Sequence, residues 1–184
     1  MKLSLLSILL GLGMGSLQVY GLAKPASFTA SLRKFPRSIP WGTTLVAIGT
    51  LWFLWNLNQE NIADFAAFKK YLLLGFAAIG IGTCIFVQDF LGARGLAVMF
   101  LLLAKQMVDT GRPHLGETPW VLVIQTWAYL LVAIGIWFTV SPYRLRDAIE
   151  WGTANATRIK FGCGLRLAFA ALVVVLGLTA FRGM

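Results

Sequence analysis

Long apolar runs separated by short polar links dominate the chain. A transmembrane helix needs about 20 largely apolar residues, and six runs reach or approach that length. They lie near residues 3–23, 41–57, 71–87, 90–108, 120–140 and 163–181. Because these runs and their links use almost every residue, the pattern predicts an all-α polytopic bundle of about six transmembrane helices. The whole chain, residues 1–184, is expected to form this single membrane domain.

Two of the runs allow a second interpretation. The first run ends in Gly21-Leu22-Ala23 and resembles a signal peptide, although the Lys24-Pro25 pair that follows makes a poor cleavage site. The fourth run has an uncharged core of only ten residues, so it spans only if Arg94 and Lys105 reach opposite headgroup layers. A cleaved first run or a re-entrant fourth run would leave five spans.

The composition agrees with a membrane protein. Hydrophobic residues make up 58% of the chain and charged residues only 12%, with a mean hydropathy of +0.77. Soluble domains carry about 25% charged residues. The net charge of +9 would suggest nucleic acid in a soluble protein. Here the basic residues fall mainly in the links, where they orient helices and contact anionic headgroups, so we expect no nucleic-acid partner.

The distribution of lysine and arginine predicts the orientation. If residues 24–40 lie in the cytoplasm and six spans alternate, the cytoplasmic side receives ten of the 16 basic residues. The positive-inside rule favours this arrangement, with both termini outside, most simply in a bacterial cytoplasmic membrane. The candidate cytoplasmic basic face comprises Lys24, Arg33, Lys34, Arg37, Arg144, Arg146, Arg158 and Lys160. The expected partners are the bilayer and its anionic cytoplasmic headgroups, and a membrane protein partner or a homo-oligomer stays open.

One polar segment on the predicted cytoplasmic side has an amphipathic pattern. Ser141 and Pro142 favour the start of a helix there. The apolar positions that follow lie near one side of that helix: Leu145, Ala148, Ile149 and Ile159. The pattern predicts an interfacial helix near 142–160 on the inner leaflet, with Gly152 as the point where it is most easily interrupted.

The link after the fourth run holds the only histidine. Lys105 to Pro113 fits the pattern K-x₆-R-P, which resembles the first signature of the phosphatidic-acid phosphatase superfamily. The resemblance implies six membrane helices and a phosphate held by the lysine and the arginine. An arginine fork with a nearby lysine suits phosphate. Lys105, Arg112 and His114 are therefore candidate anion or lipid contacts.

The rest of that superfamily's pattern is missing. Its second signature, P-S-G-H, and its third, S-R followed by a histidine and an aspartate, are absent from the sequence. A single histidine, His114, cannot serve as both nucleophile and proton donor, which argues strongly against an active phosphatase of this kind. Residues 89–94 are similar to the D-G-x-x-A-R opening of the CDP-alcohol phosphotransferases. Phe90 takes the glycine position there, and the later aspartates are missing at Met107 and Gly111.

A structural interpretation of the same link is simpler. Lys105 and Asp109 have the i,i+4 spacing of a helical ion pair, Gly111 suits a helix end, and Pro113 prevents continuation. The side chains that could bind a metal offer too few nitrogen or sulfur ligands: Asp109, His114 and Glu117. No metal or cofactor is expected, and we favour the interpretation of this link as the polar end of a helix.

The sequence therefore favours a small non-enzymatic membrane protein that acts as an accessory or structural subunit. A small transporter or channel is the alternative, because Gln125 and the Gln88-Asp89 pair lie at or near membrane depth. All three polar residues are close to predicted boundaries, where interfacial water would solvate them equally well. A phosphate-binding lipid enzyme related to the phosphatidic-acid phosphatases, but lacking their nucleophile, is a distant third.

Overall fold

The structure, a computed structural model, describes residues 2–61 and 63–184. Within these residues it consists of eight α-helices and three short 3₁₀ helices, without a β-strand. The α-helices are α1 (Leu3–Ala23), α2 (Pro25–Lys34), α3 (Ile39–Gln59), α4 (Lys69–Phe86), α5 (Leu91–Gly111), α6 (Val121–Val140), α7 (Tyr143–Gly152) and α8 (Ala156–Leu178). The 3₁₀ helices are Phe35–Arg37, Ala63–Phe68 and Arg112–His114. The predicted all-α class is confirmed.

In the described part of the chain, five helices are long and apolar enough to cross a membrane. They are Leu3–Ala23, Ala66–Phe86, Leu91–His114, Val121–Val140 and Ala156–Leu178. The predicted second span, 41–57, forms most of α3, which has 21 residues and is long enough but falls outside this set. Its polar side chains lower the mean hydropathy: Thr43, Thr44, Asn56 and Asn58. The predicted count of six is one more than length and composition give.

The two runs with a second interpretation each form one continuous helix. The fourth run is α5, which is unbroken for 21 residues from Leu91 to Gly111. A re-entrant hairpin requires a break in the helix, so that alternative is wrong. The first run is α1, whose bounds, Leu3–Ala23, are the predicted ones. Its cleavage as a signal peptide stays a prediction.

The polar segments depart from the prediction in two places. The link after α1 folds into α2, which buries Phe28. The predicted interfacial helix 142–160 is wrong as a single element, because α7 ends at Gly152 and α8 already begins at Ala156. Glycine destabilises a helix, and Asn155 is extended, with φ −134°, just before the first turn of α8. The last apolar helix is therefore longer at its start than predicted.

The described chain divides into two compact units. The first comprises the chain up to Arg33, Leu103–Val132 and Arg146–Met184. The second comprises Lys34–Leu102 and Ala133–Leu145. The division falls inside α2, at its last residue, and inside α5, α6 and α7, so each of these helices contributes residues to both units.

The first unit contains an antiparallel pair of helices, α1 and α8. A Cβ atom at Gly11 would lie 2.8 Å from the carbonyl oxygen of Ala170, and one at Gly177 would lie 3.0 Å from that of Ser4. The start of α1 thus meets the end of α8, so the two helices run in opposite directions. Small residues that allow this close approach are typical of membrane helix pairs. The first residues of α1 and the last turn of α8 consequently lie at one end of the pair.

In the second unit, α3 and α4 form an antiparallel hairpin. The rings of Phe53 and Phe76 meet edge to face with their centroids 4.9 Å apart. Gly80 packs directly against the side chain of Thr50. Since an earlier residue of α3 meets a later residue of α4, the two helices run in opposite directions.

The first half of α5 packs along α3 in the same unit. A Cβ atom at Gly42 would lie 2.6 Å from the backbone carbonyl carbon of Leu91, and one at Gly49 would lie 2.8 Å from the side chain of Val98. The contacts advance together along both helices, so α3 and α5 are parallel.

Candidate functional site

The two candidate side chains nearest Arg112 in the sequence, Lys105 and His114, both have local partners. Lys105 Nζ donates a hydrogen bond of 2.6 Å to Asp109 Oδ2, which is the predicted i,i+4 ion pair. His114 Nδ1 lies 2.9 Å from Glu117 Oε1, three residues further along the chain. α5 ends at Gly111 and a 3₁₀ turn follows, as the structural interpretation predicted. The structure therefore does not gather lysine, arginine and histidine around one anion.

Arg112 lies apart from these pairs and lines a cleft of about 210 Å³ at the junction of α5 and α6. The other lining residues are Val108, Leu115, Leu122, Gln125 and Tyr129. The guanidinium is exposed, and the described residues give it no hydrogen bond or ion pair. A free arginine beside an apolar wall can hold an anionic group whose remainder is apolar.

Gln125 is the polar side chain in the cleft wall that sequence reasoning had not connected with Arg112. It is only 5% exposed, and its Nε2 donates a hydrogen bond of 3.3 Å to the carbonyl oxygen of Val108. Val108 lies in the last turn of α5, so this bond joins α6 to the end of α5. A Cβ atom at Gly111 would lie 2.6 Å from Gln125 Nε2, so the helix end leaves room for the amide. Its Oε1 is buried and has no hydrogen-bond partner among the described residues.

The predicted basic segments are joined by Arg33 in the first unit. Its Nε donates a hydrogen bond of 3.0 Å to Thr153 Oγ1, and its Nη2 donates one of 3.0 Å to the Thr153 carbonyl oxygen. The Thr153 hydroxyl in turn donates to the carbonyl oxygen of Ile149 at 2.7 Å. Arg33 thus donates to the carbonyl oxygen of Thr153 at the turn between α7 and α8. This contact gives a physical reason for the helix break that the local sequence indicated only weakly.

The other members of the predicted basic face are placed in three ways. Three guanidinium groups lie over aromatic rings, at 4.9 Å for Arg37 over Phe90, 5.4 Å for Arg144 over Tyr143 and 5.2 Å for Arg158 over Trp151. Arg146 donates two hydrogen bonds to Asp147 Oδ1, and this bonding raises the pKa of Arg146 above its ordinary value. The lysines are exposed: Lys24, Lys34 and Lys160. Cation–π contacts and exposed ammonium groups are both suited to a headgroup layer.

Phe90 has an unusual backbone in the second unit. Its φ is +53°, the left-handed region that glycine adopts without strain and a bulky residue rarely enters. Phe90 occupies the glycine position of the D-G-x-x-A-R pattern, so the backbone there has the conformation that a glycine would favour. The ring is buried and lies under Arg37, and these contacts hold the strained residue in place.

The described residues contain no group of three histidine, cysteine, aspartate or glutamate side chains that could hold a metal ion. Asp109, His114 and Glu117 are accordingly not assembled as a ligand set. What the geometry offers chemically is anion binding at Arg112 and surface contact by the basic segments. Comparisons with models of protein families, with curated proteins and with solved structures find no match.

Proposed function

We propose that the protein is a small integral membrane protein whose six long helices cross a bilayer and that acts as a non-enzymatic accessory or structural subunit. The observation that carries the proposal is the exposed apolar surface of the long helices. In α4 none of the residues in the apolar window is buried, and Ile79, Ile81 and Ile85 are all exposed. Such a surface in water would be an aggregation site, whereas lipid or a membrane partner covers it without cost.

The hydrogen bonds between Arg33 and Thr153 support the proposal that α3 also crosses the membrane, which raises the number of spans from five to six. They require α2 and the α7–α8 turn to be on the same side of the membrane. An even number of crossings must therefore separate them. The apolar helices α4, α5 and α6 supply three, so the fourth is α3. Exposed tryptophans near both ends of α3, Trp41 and Trp55, suit the two interfaces of a spanning helix.

The antiparallel pairing of α1 and α8 also supports six spans. If spans alternate in direction, the first and last are antiparallel only when their number is even. Six spans satisfy this condition and five do not. The positive-inside rule then assigns the cytoplasm to the side of the α2 and α7–α8 segments, because they carry most of the basic residues.

An accessory role is favoured over transport by where the polar side chains lie. The buried polar side chains among the described residues are uncharged: Ser7, Gln18, Gln125 and Thr153. A proton or cation path through a membrane protein ordinarily uses buried acidic or histidine side chains. A subunit that packs against another membrane protein needs an uncovered apolar helix, and α4 provides one.

A photo-crosslinking residue on α4 tests the role. Placed at Ile79 and activated in native membranes, it should give one protein adduct of discrete mass, because a partner helix covers that face. The matched position on α1 is Leu12, which is also exposed and should crosslink only lipid. Absence of a protein adduct at Ile79, together with solute uptake into liposomes that contain only this protein, would favour the transporter or channel instead.

A further inference from the structure

We propose that the cleft at the α5–α6 junction binds the headgroup of an anionic phospholipid that also carries a hydroxyl, such as a phosphoglycerol headgroup. The inference rests on the proposed membrane location and adds a ligand to it. Two polar groups in the cleft wall have unused hydrogen-bonding capacity. They are the guanidinium of Arg112 and the buried Oε1 of Gln125.

Arg112 defines the charge of the ligand. It has five N–H donors in a planar fork that matches a phosphate diester, and the described residues provide no carboxylate partner for it. The two neighbouring candidates have acidic partners instead: Lys105 is paired with Asp109, and His114 Nδ1 lies within hydrogen-bond distance of Glu117. An anion that enters the cleft therefore meets a single arginine rather than a basic cluster. A ligand with one negative charge is the best match for this single arginine.

Gln125 defines the second polar feature of the ligand. Its Nε2 is engaged by the Val108 carbonyl, so the group left without a partner is an acceptor oxygen. A buried acceptor without a donor is unfavourable. Gln125 is a lining residue of the cleft, so we place the ligand's hydroxyl next to its amide. A ligand hydroxyl can then donate to it.

The size and surroundings of the cleft identify the remainder of the ligand as a lipid chain. Pockets for whole drug-sized ligands measure about 300–1,000 Å³, and this cleft, at about 210 Å³, holds only part of such a molecule. Leu122 and Tyr129 line it and are 56% and 63% exposed. They lie on the outer side of α6, one heptad apart. An acyl chain leaving the cleft would lie along this apolar face, where a free phosphate has nothing to contact.

Lipid binding to the purified full chain in detergent tests the site. Native mass spectrometry should show tighter binding of phosphatidylglycerol than of phosphatidylmethanol, which has the same charge but no headgroup hydroxyl. Phosphatidylcholine should bind weakly. Arg112→Gln should weaken phosphatidylglycerol binding by about tenfold, the usual effect of losing a charge-assisted hydrogen bond. Arg182→Gln removes another exposed arginine, outside the cleft, and should change phosphatidylglycerol binding less than about twofold.

A second pair of variants tests the hydroxyl contact. Gln125→Leu should remove the preference for phosphatidylglycerol over phosphatidylmethanol. Gln18→Leu is the matched control, because Gln18 is also buried with an unpartnered Oε1 but does not line the cleft. The preference should persist in it. If Gln125→Leu fails to fold, a photoactivatable phosphatidylglycerol added to the wild type should label residues 115–129.

Several results would overturn the site. They are equal losses in Arg112→Gln and Arg182→Gln, equal binding of the two anionic lipids by the wild type, labelling elsewhere in the chain, or displacement of the lipid by millimolar inorganic phosphate. Failure of the proposed membrane role is a separate outcome. In that case the protein would stay soluble after detergent removal and would not fractionate with membranes. A protein that fractionates with membranes but shows no headgroup preference would contradict the cleft alone.

Discussion

The α1–α8 pair and the α3–α4 hairpin are both built from long helices, but they use their surfaces differently. Both helices of the α1–α8 pair carry buried side chains, among them Leu3, Leu6, Val173 and Leu176. α4 packs on α3 through a few residues, and its apolar window has no buried residue. Hydropathy does not distinguish α4 from α1 and α8, because all three helices are apolar enough to cross a membrane. The two helix pairs differ in what their glycines meet. Gly11 and Gly177 lie against backbone carbonyls of the partner helix, whereas Gly80 lies against the side chain of Thr50.

The largest expected effect comes from filling the closest glycine contact of the α1–α8 pair. Gly11→Leu would push a side chain against the Ala170 carbonyl oxygen and Val174. Backbone cannot move as easily as a side chain, so we expect a loss of about 2–3 kcal/mol of stability. Thermal unfolding of the detergent-solubilised protein measures it. Gly13→Leu on the same helix is the control, since nothing lies within 4 Å of a Cβ atom there. Equal effects of the two changes would contradict the packing.

A smaller loss is expected at the polar end of the α1–α8 pair. Thr153→Val removes the hydroxyl that accepts from Arg33 Nε and donates to Ile149. The Arg33 bond to the Thr153 carbonyl remains, so about 1 kcal/mol should be lost. Hydrogen exchange of the amides in the α7–α8 turn should accelerate. Thr157→Val, at an exposed threonine in the first turn of α8, should leave the exchange unchanged, and acceleration in both variants would contradict the role of the contact.

The smallest effect is expected in the α3–α4 hairpin. Gly80→Ala brings its Cβ atom against Cβ, Oγ1 and Cγ2 of Thr50. Because no residue in the apolar window of α4 is buried, α4 can move away from α3, so the loss should stay below about 1 kcal/mol. Gly75→Ala, in open space on the same helix, should stabilise α4 by about 0.5–1 kcal/mol through helix propensity. The comparison of the two helix pairs would fail if Gly80→Ala were as damaging as Gly11→Leu in the same unfolding assay.

The sequence predicted the features that depend on neighbouring residues. The bounds of α1, the ion pair of Lys105 with Asp109 and the helix end at Gly111 follow from local periodicity, spacing and glycine chemistry. The contacts that matter most for the candidate sites join distant segments. Arg33 and Thr153 are 120 residues apart in sequence, and Gln125 reaches a carbonyl 17 residues earlier. Such pairings arise from packing, which a single sequence does not encode in any local pattern.

The predicted interfacial helix and α3 both show where a local average over the sequence fails to predict the structure. The amphipathic pattern over 142–160 continues past Gly152, but the Thr153 carbonyl is held by Arg33 and the helix stops. In α3 the average hydropathy is too low for a span, although the helix has the length and the exposed end tryptophans of one. A contact with a distant residue accompanies the end of α7, and the length and end residues of α3 support the proposed sixth span. Neither feature is contained in a residue average.

The most direct measurement is the accessibility of single cysteines on either side of α3. With Cys84 and Cys163 replaced, cysteines at Ser27, Asn58, Leu115 and Asn155 would be exposed to an impermeant thiol reagent in intact cells. Six crossings predict labelling at Asn58 and Leu115 and protection at Ser27 and Asn155. If α3 does not cross, Ser27 and Asn58 would share one side and Ser27 and Asn155 would lie on opposite sides. That result would contradict both the sixth span and the hydrogen bonds between Arg33 and Thr153.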